Sequence, residues 1–162
     1  MSIEKVRAYF AQYGREGDIL EFDSSSATVE LAALAVGVEP ARIAKTLSFL
    51  VDRKCVLIVC AGDTRIDNHR FKETFHVKAK MLSPEEVVDY TGHAIGGVCP
   101  FAVDESRAVT YLDESLKRFA TVFPAAGSSN SAIELTPAEL ETYSHAAGWV
   151  DVCKGWREEI VQ

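Results

Sequence analysis

The sequence predicts an α+β fold in which a mixed sheet, closing on itself, carries helices on its outside. Three observations lead there. Residues 47–51 and 55–60 are two apolar, β-branched-rich runs joined by the polar turn Asp52-Arg53-Lys54, which reads as a hairpin. Because both runs are apolar on both faces, they belong in the middle of a sheet that is covered on both sides. Helix-start signals lie between and after the strand-like runs, but the alternation is too uneven for a simple βαβ series.

The elements follow in order. Ile3, Val6, Phe10 and Tyr13 recur at helical spacing after Ser2 as N-cap, and Gly14 ends the pattern. Residues 19–22 read as a short strand. The polar break Asp23-Ser24-Ser25-Ser26 caps a helix from Ala27 to about Val36, with Gly37 as its stop. Pro40 opens a short helix reaching about Lys45, after which the hairpin begins. Asp67 starts an amphipathic helix to about Phe75, and residues 77–81 read as a short strand. Ser83-Pro84-Glu85-Glu86 carries Ser at N-cap, Pro at N1 and Glu at N3, and this helix ends near Thr91-Gly92. Residues 108–112, 119–123 and 133–135 read as strands. Thr136-Pro137-Ala138-Glu139 starts a last helix to about Ala147, and the tail 149–162 folds back through Trp149, Val150 and Trp156.

A chain of 162 residues suits one domain over 1–162 with a single sizeable core. The longest apolar run, 55–61, is too short to span a bilayer. The N-terminus lacks a basic stretch leading into an apolar one, so a cytoplasmic protein without membrane attachment is expected. Cys55, Cys60, Cys99 and Cys153 form no Cys-x-x-Cys pair and have no metal-ligand spacing with the histidines, so reduced, buried thiols are expected, with no metal and no cofactor. The net charge of −7 argues against nonspecific attraction to nucleic acid. Yet residues 42–80 hold nine Lys/Arg against four acids, +5, which leaves −12 for the remainder. That segment reads either as a solvated basic face or as a local landing patch for a polyanion.

Two features carry possible chemistry. In His93-Ala94-Ile95-Gly96-Gly97-Val98-Cys99-Pro100-Phe101 a strand-like approach meets two glycines and then a proline. Gly96 and Gly97 let bare backbone approach a bound group, and Pro100 stiffens the exit; an ordinary tight turn is the plainer reading. Lys45 lies among Ile43, Ala44, Leu47 and Phe49, where a helix hands over to a buried strand. It is either a snorkelling lysine or a cation at a pocket mouth, since an unpartnered buried ammonium is costly. There is no Gly-x-Ser-x-Gly elbow and no His-Glu-x-x-His. A thiol nucleophile at Cys99 with His93 as base is a further reading. Asp23, Glu30, Asp67 and Glu134 each read first as caps or solvated acids.

Taken together, Arg42-Ile43-Ala44-Lys45-Thr46-Leu47, the stretch 91–101 and the stretch 119–135 resemble, in that order, the lysine motif, the Gly-Gly-x-Ser/Thr-Pro loop and the closing glycine loop and strand of the YbaK/prolyl-tRNA-synthetase-associated domain family. The resemblance covers roughly residues 20–142. It implies a mixed, largely antiparallel sheet closing into a barrel-like core with outer helices, and deacylation of mischarged tRNA in trans, Cys-tRNA(Pro) or Ala-tRNA(Pro) first. It implies that Lys45 holds the 3′-terminal adenosine or its aminoacyl group. Gly96, Gly97 and Val98, with Cys99, Pro100 and Phe101, would line the acyl pocket. Gly127, Ser128 and Asn130 would close the other side. The substrate's own ribose hydroxyl would activate water. The aminoacyl-tRNA acceptor end is the implied partner, with prolyl-tRNA synthetase as a candidate second one. A non-catalytic aminoacyl- or nucleotide-binding module beside a synthetase is the alternative. Two departures bear on amino-acid preference: Cys99 stands where the family has a hydroxyl residue, and 128–132 lacks a second glycine and an acid.

Overall fold

A computed structural model describes residues 2–157. Helix α1 (Ser2–Ala11) leads through a 3₁₀ turn into β1 (Ile19–Glu21), followed by α2 (Val29–Val36), β2 (Ile43–Val51), β3 (Lys54–Ala61) and β4 (Arg65–Ile66). Then come α3 (Asn68–Phe75), α4 (Pro84–Thr91), β5 (Ala108–Asp113), β6 (Phe123–Pro124), β7 (Ser131–Ile133), α5 (Pro137–Ser144), β8 (Gly148–Val150) and β9 (Cys153–Lys154). A curled five-stranded mixed sheet of order β6-β2-β3-β5-β8 forms a half-barrel with the helices outside, and β1-β7 and β4-β9 make two small antiparallel ribbons. Within the five-stranded sheet only β2–β3 is antiparallel. The two ribbons and three isolated bridges supply the remaining antiparallel pairing.

The hairpin is as expected, with a tighter turn. Asp52 and Arg53 both take positive φ (50° and 67°), the two-residue geometry whose twist matches the flanking strands. β3 is the central strand, and its residues 55–61 are all buried. Alternation splits them between the two faces. Val56, Ile58 and Cys60 pack with Phe49, Phe71 and Cys153, whereas Cys55 and Leu57 pack with Leu82 and Val87. Val59 and Ala61 join the main core of Phe10, Phe101, Leu112 and Leu140. All four thiols are buried.

Both capping boxes form at the expected residues, Ser83/Glu86 and Thr136/Glu139. Several boundaries differ, each for a local reason. Thr28 rather than 23–26 caps α2, because its hydroxyl reaches Leu31 N–H. The helix expected from Pro40 stops as a 3₁₀ turn at Arg42, and Ile43 already pairs with Phe123, so Lys45 lies on a strand. Residues 77–81 give only a bridge, Phe49↔Met81, and 119–123 give a strand only at Phe123–Pro124. The stretch before the glycines is irregular rather than strand-like: the Gly97 N–H turns back onto the Ala94 carbonyl at 3.0 Å. The tail does fold back, as β8 and β9, and Trp156 packs beside Cys153; residues 158–162 of the expected tail lie outside the described residues. No helix among the described residues is long and apolar enough to cross a membrane.

Candidate functional site

The site is built on the exposed side of β2. Pairing with β6 ends at Ala44↔Pro124, and the bridge to Met81 begins only at Phe49. On the side away from β3, residues 45–48 therefore have no strand neighbour among the described residues, and a cavity of about 330 Å³ opens along them. Leu82 N–H donates to the Ser48 carbonyl at 3.2 Å, and Leu50 N–H donates to the Lys80 carbonyl at 2.9 Å. Backbone groups alternate in direction along a strand, so the N–H and carbonyl of Thr46 turn the same way, into the cavity. The Thr46 hydroxyl oxygen is buried there without a hydrogen-bond partner.

Two loops complete the wall. Ile95, Gly96 and Val98 come from the glycine loop, and Ser26, Ala27 and Thr28 come from the approach to α2. A Cβ on Gly96 would sit 3.3 Å from the Ala27 Cβ, so this loop touches the α2 approach as closely as a bare backbone allows. Loop 127–131 holds that approach in place: Ser26 N–H donates to the Ser129 carbonyl (2.6 Å) and Phe22 N–H to the Asn130 carbonyl (2.8 Å). The Asn130 side-chain amide also donates to the Phe22 carbonyl at 3.0 Å. Met81 and Ile95, 57% and 61% exposed, stand at the mouth as bare apolar surface.

Lys45 is the one ionisable side chain of this wall among the described residues. Its ammonium donates to the Thr64 carbonyl. One carbonyl occupies one of three N–H donors, which leaves two for a ligand.

Residues 23–143 match the family model described as the aminoacyl-tRNA editing domain. The chain belongs to the aminoacyl-tRNA editing domain family. It is 57% identical over 157 residues to the uncharacterized protein YwhH of Bacillus subtilis, covering 96% of this chain and 99% of that one. Against a proline–tRNA ligase of Bacillus licheniformis it is 22% identical over 156 residues, 93% of this chain but 27% of the ligase. A crystal structure provisionally described as a trans-editing enzyme for prolyl tRNA synthetase superposes with a TM-score of 0.84 at 30% identity, over 95% of this chain and 98% of the other.

Within this editing domain, the residues nominated from sequence fall into two groups. Lys45, Gly96 and Val98 line one cavity. Gly97, Cys99, Pro100, Phe101, Gly127, Ser128 and Asn130 do not line it; they lie behind the wall and shape it. Gly97 packs against loop 127–131, where its Cβ would come within 2.9 Å of Ser128 backbone. Gly127 packs against α1, and the Ser2 hydroxyl, expected as a helix cap, donates to the Gly127 carbonyl instead. Ser128 bonds Asn130 and Ser131. Cys99 and Phe101 are fully buried in the main core, drawn inward by their apolar side chains. Among the acids, Asp67 caps α3 and Glu134 accepts from the Thr121 hydroxyl at 2.6 Å. Neither of these, nor Asp23 or Glu30, lines the cavity. Sequence reasoning missed Thr46, Ser48 and Ser131 as wall residues; their only signal was a hydroxyl recurring within apolar strand runs.

The geometry speaks against a thiol nucleophile. The His93 Nε2 lies 2.7 Å from the Phe101 carbonyl oxygen, a contact that requires the proton on Nε2. That nitrogen then cannot take a proton from Cys99, whose Sγ is 3.6 Å away. Burial pushes the Cys99 thiol up to about 12, the opposite of what a nucleophilic thiolate needs. Cys99→Ser is therefore expected to hydrolyse any substrate of the domain within about twofold of the native rate; a collapse of activity with the fold intact would restore the thiol.

His93 makes the editing domain sensitive to acid. It is fully buried, and desolvation holds its pKa below the ordinary histidine range, outweighing the Phe101 carbonyl. Above about pH 6.5 the ring is neutral in both folded and unfolded chains. Below it the unfolded chain takes up a proton that the native ring resists, so stability falls as pH drops. From pH 7.5 to 5.5 the native protein is expected to lose more unfolding free energy than His93→Gln, read from urea denaturation. Equal losses in both proteins would assign the acid sensitivity to other groups.

Proposed function

We propose that the protein is an aminoacyl-tRNA deacylase acting in trans, which hydrolyses the ester of mischarged tRNA, with Cys-tRNA(Pro) and Ala-tRNA(Pro) as leading substrates. The observation that carries this is the composition of the cavity. It brings bare backbone from Thr46 and the glycine loop beside an ammonium with two spare donors, in a space at the small end of ligand sites.

An aminoacyl ester is already activated, so it needs orientation and donors more than a strong base. Water adding to the ester carbonyl places negative charge on its oxygen, and preorganised N–H groups aimed at that oxygen lower the barrier. The Thr46 N–H on the open side of β2 is suited to this. Lys45 would hold the terminal adenosine or the acyl group. Met81 and Ile95 offer apolar surface for the terminal base to cover. The wall lines up no carboxylate, histidine or cysteine among the described residues, which favours proton transfer through the substrate's own ribose hydroxyl. A small cavity also answers the biological need: a synthetase pocket cannot strongly reject a smaller amino acid, so a second site removes it.

The same wall, short of a general base, also suits a module that binds the aminoacyl end without cleaving it, beside prolyl-tRNA synthetase. A panel of mischarged tRNAs separates the two. Release of amino acid from at least one supports the deacylase; binding of the charged 3′ end with no release from any member supports the module.

A further inference from the structure

Beside the cavity lies a cationic ribbon that the fold alone does not explain. β4 and β9 pair so that Arg65 stands directly opposite Lys154. Both are exposed, and like charges directly opposite each other on a ribbon are destabilising. No acid lies within ion-pair distance of either among the described residues. The nearby acids are committed elsewhere: Asp63 to Arg118, Asp67 to the start of α3, and Asp151 to Arg70 and Arg157. This protein carries a net charge of −7, so two facing cations without an acidic partner among the described residues stand out. The ribbon is also joined to the site. Arg65 follows Thr64, whose carbonyl holds the Lys45 ammonium.

We infer that the Arg65–Lys154 ribbon is a docking surface for the phosphate backbone of the tRNA acceptor arm, next to the terminal nucleotide addressed by Lys45. The inference rests on reading the cavity as the site for the aminoacyl end. It narrows the basic segment 42–80 to one of its residues and adds a lysine 74 positions beyond that segment. Two phosphates along the strand leading to the ester would each meet one cation, and the repulsion between Arg65 and Lys154 would be relieved on binding. The arrangement trades stability of the free protein for attraction to a polyanion, and it confines that attraction to one place on an acidic molecule.

The test compares the native protein with Arg65→Ala/Lys154→Ala on two substrates, a mischarged tRNA and adenosine carrying the same aminoacyl ester, which has no phosphate. On tRNA the double variant is expected to raise KM about tenfold with kcat within twofold. The plot of log KM against log salt should become shallower by about one unit per cation removed. On the adenosine ester, which offers the ribbon nothing to hold, both proteins should behave alike. The melting temperature of the double variant should equal or exceed that of the native protein, since a repulsion is removed, so misfolding cannot imitate the result. An unchanged KM and salt slope on tRNA would overturn the ribbon while leaving the deacylase standing. Anisotropy with uncharged tRNA separates the converse case. If nothing is hydrolysed but tRNA binding weakens about tenfold in the double variant, the ribbon stands and the deacylase falls. Absence of tRNA binding by the native protein overturns the ribbon.

Discussion

Lys45→Met is expected to lower kcat/KM for deacylation of a mischarged tRNA by two to three orders of magnitude while leaving the fold intact. The size follows from what is removed. Loss of a group that positions the reacting ester costs on the order of 10²-fold in rate by misplacing it, and more where that group's charge also meets the acyl oxygen as it becomes negative. Lys45 is the one ionisable side chain of the wall among the described residues. Methionine keeps most of the stem's length and apolar packing and deletes only the ammonium, so the measurement isolates charge and hydrogen bonding from shape. The fold should tolerate it. β2 is held by an unbroken antiparallel register with β3 from Ala44↔Ala61 to Val51↔Lys54, and the side chain at 45 is only half-buried. The Thr64 carbonyl loses its ammonium partner, a loss of about 1 kcal/mol at most if water replaces it. Single-turnover deacylation with the melting temperature measured alongside decides the matter. A rate within threefold of native would remove Lys45 from the chemistry, and the cavity would then need another source of positive charge.

How much of this was visible before the structure depends on the kind of signal. The hairpin, the central position of β3 and both capping boxes were legible because each rests on a local pattern: two apolar runs about a polar turn, or Ser/Thr-Pro-x-Glu. The nomination of Lys45 came from a local conflict, an ammonium among apolar neighbours, and the resolution of that conflict was not local. The carbonyl that receives it belongs to Thr64, across the hairpin and past the end of β3. The wall was legible only in part for the same reason. It is assembled from the α2 approach, β2, the segment before α4, the glycine loop and β7, and no single stretch shows that these meet. The stretch 96–101 illustrates the limit most clearly. Glycine and apolar residues there suit a pocket and a core equally well. Gly96 and Val98 went to the pocket, while Cys99 and Phe101 went to the core, because the backbone turn at 94–97 sets which way each residue faces.

That division of labour makes the support behind the wall as consequential as the wall, and Gly127→Ala is the substitution expected to show it. Gly127 has φ of +95°, and a Cβ there would lie 2.8 Å from the Ser2 carbonyl oxygen and 2.8 Å from Val6 Cγ2. Two costs add: about 1–2 kcal/mol for a side chain in left-handed backbone, and about 1–3 kcal/mol for forcing atoms into a packed contact. A loss near 3 kcal/mol corresponds to a fall in melting temperature of about 6–12 °C for a chain of this length. Gly37→Ala separates the two costs, because Gly37 has φ of +83° but open space where its Cβ would go. It should show the backbone cost alone, a fall of about 2–8 °C. The function should part company in the same way. Gly37 ends α2, away from the bonds that fix the cavity, so Gly37→Ala should deacylate at the native rate below its melting transition. Loop 127–131 holds Ser26 through the Ser129 carbonyl and Phe22 through the Asn130 carbonyl, so a shift at Gly127 displaces the 26–28 wall. Misplacement of a positioning wall by about an ångström costs on the order of 10²-fold in rate. Equal melting temperatures for the two alanine variants would mean that α1 yields freely to the added methyl. The contact between α1 and the closing loop would then be no part of what holds the cavity in shape.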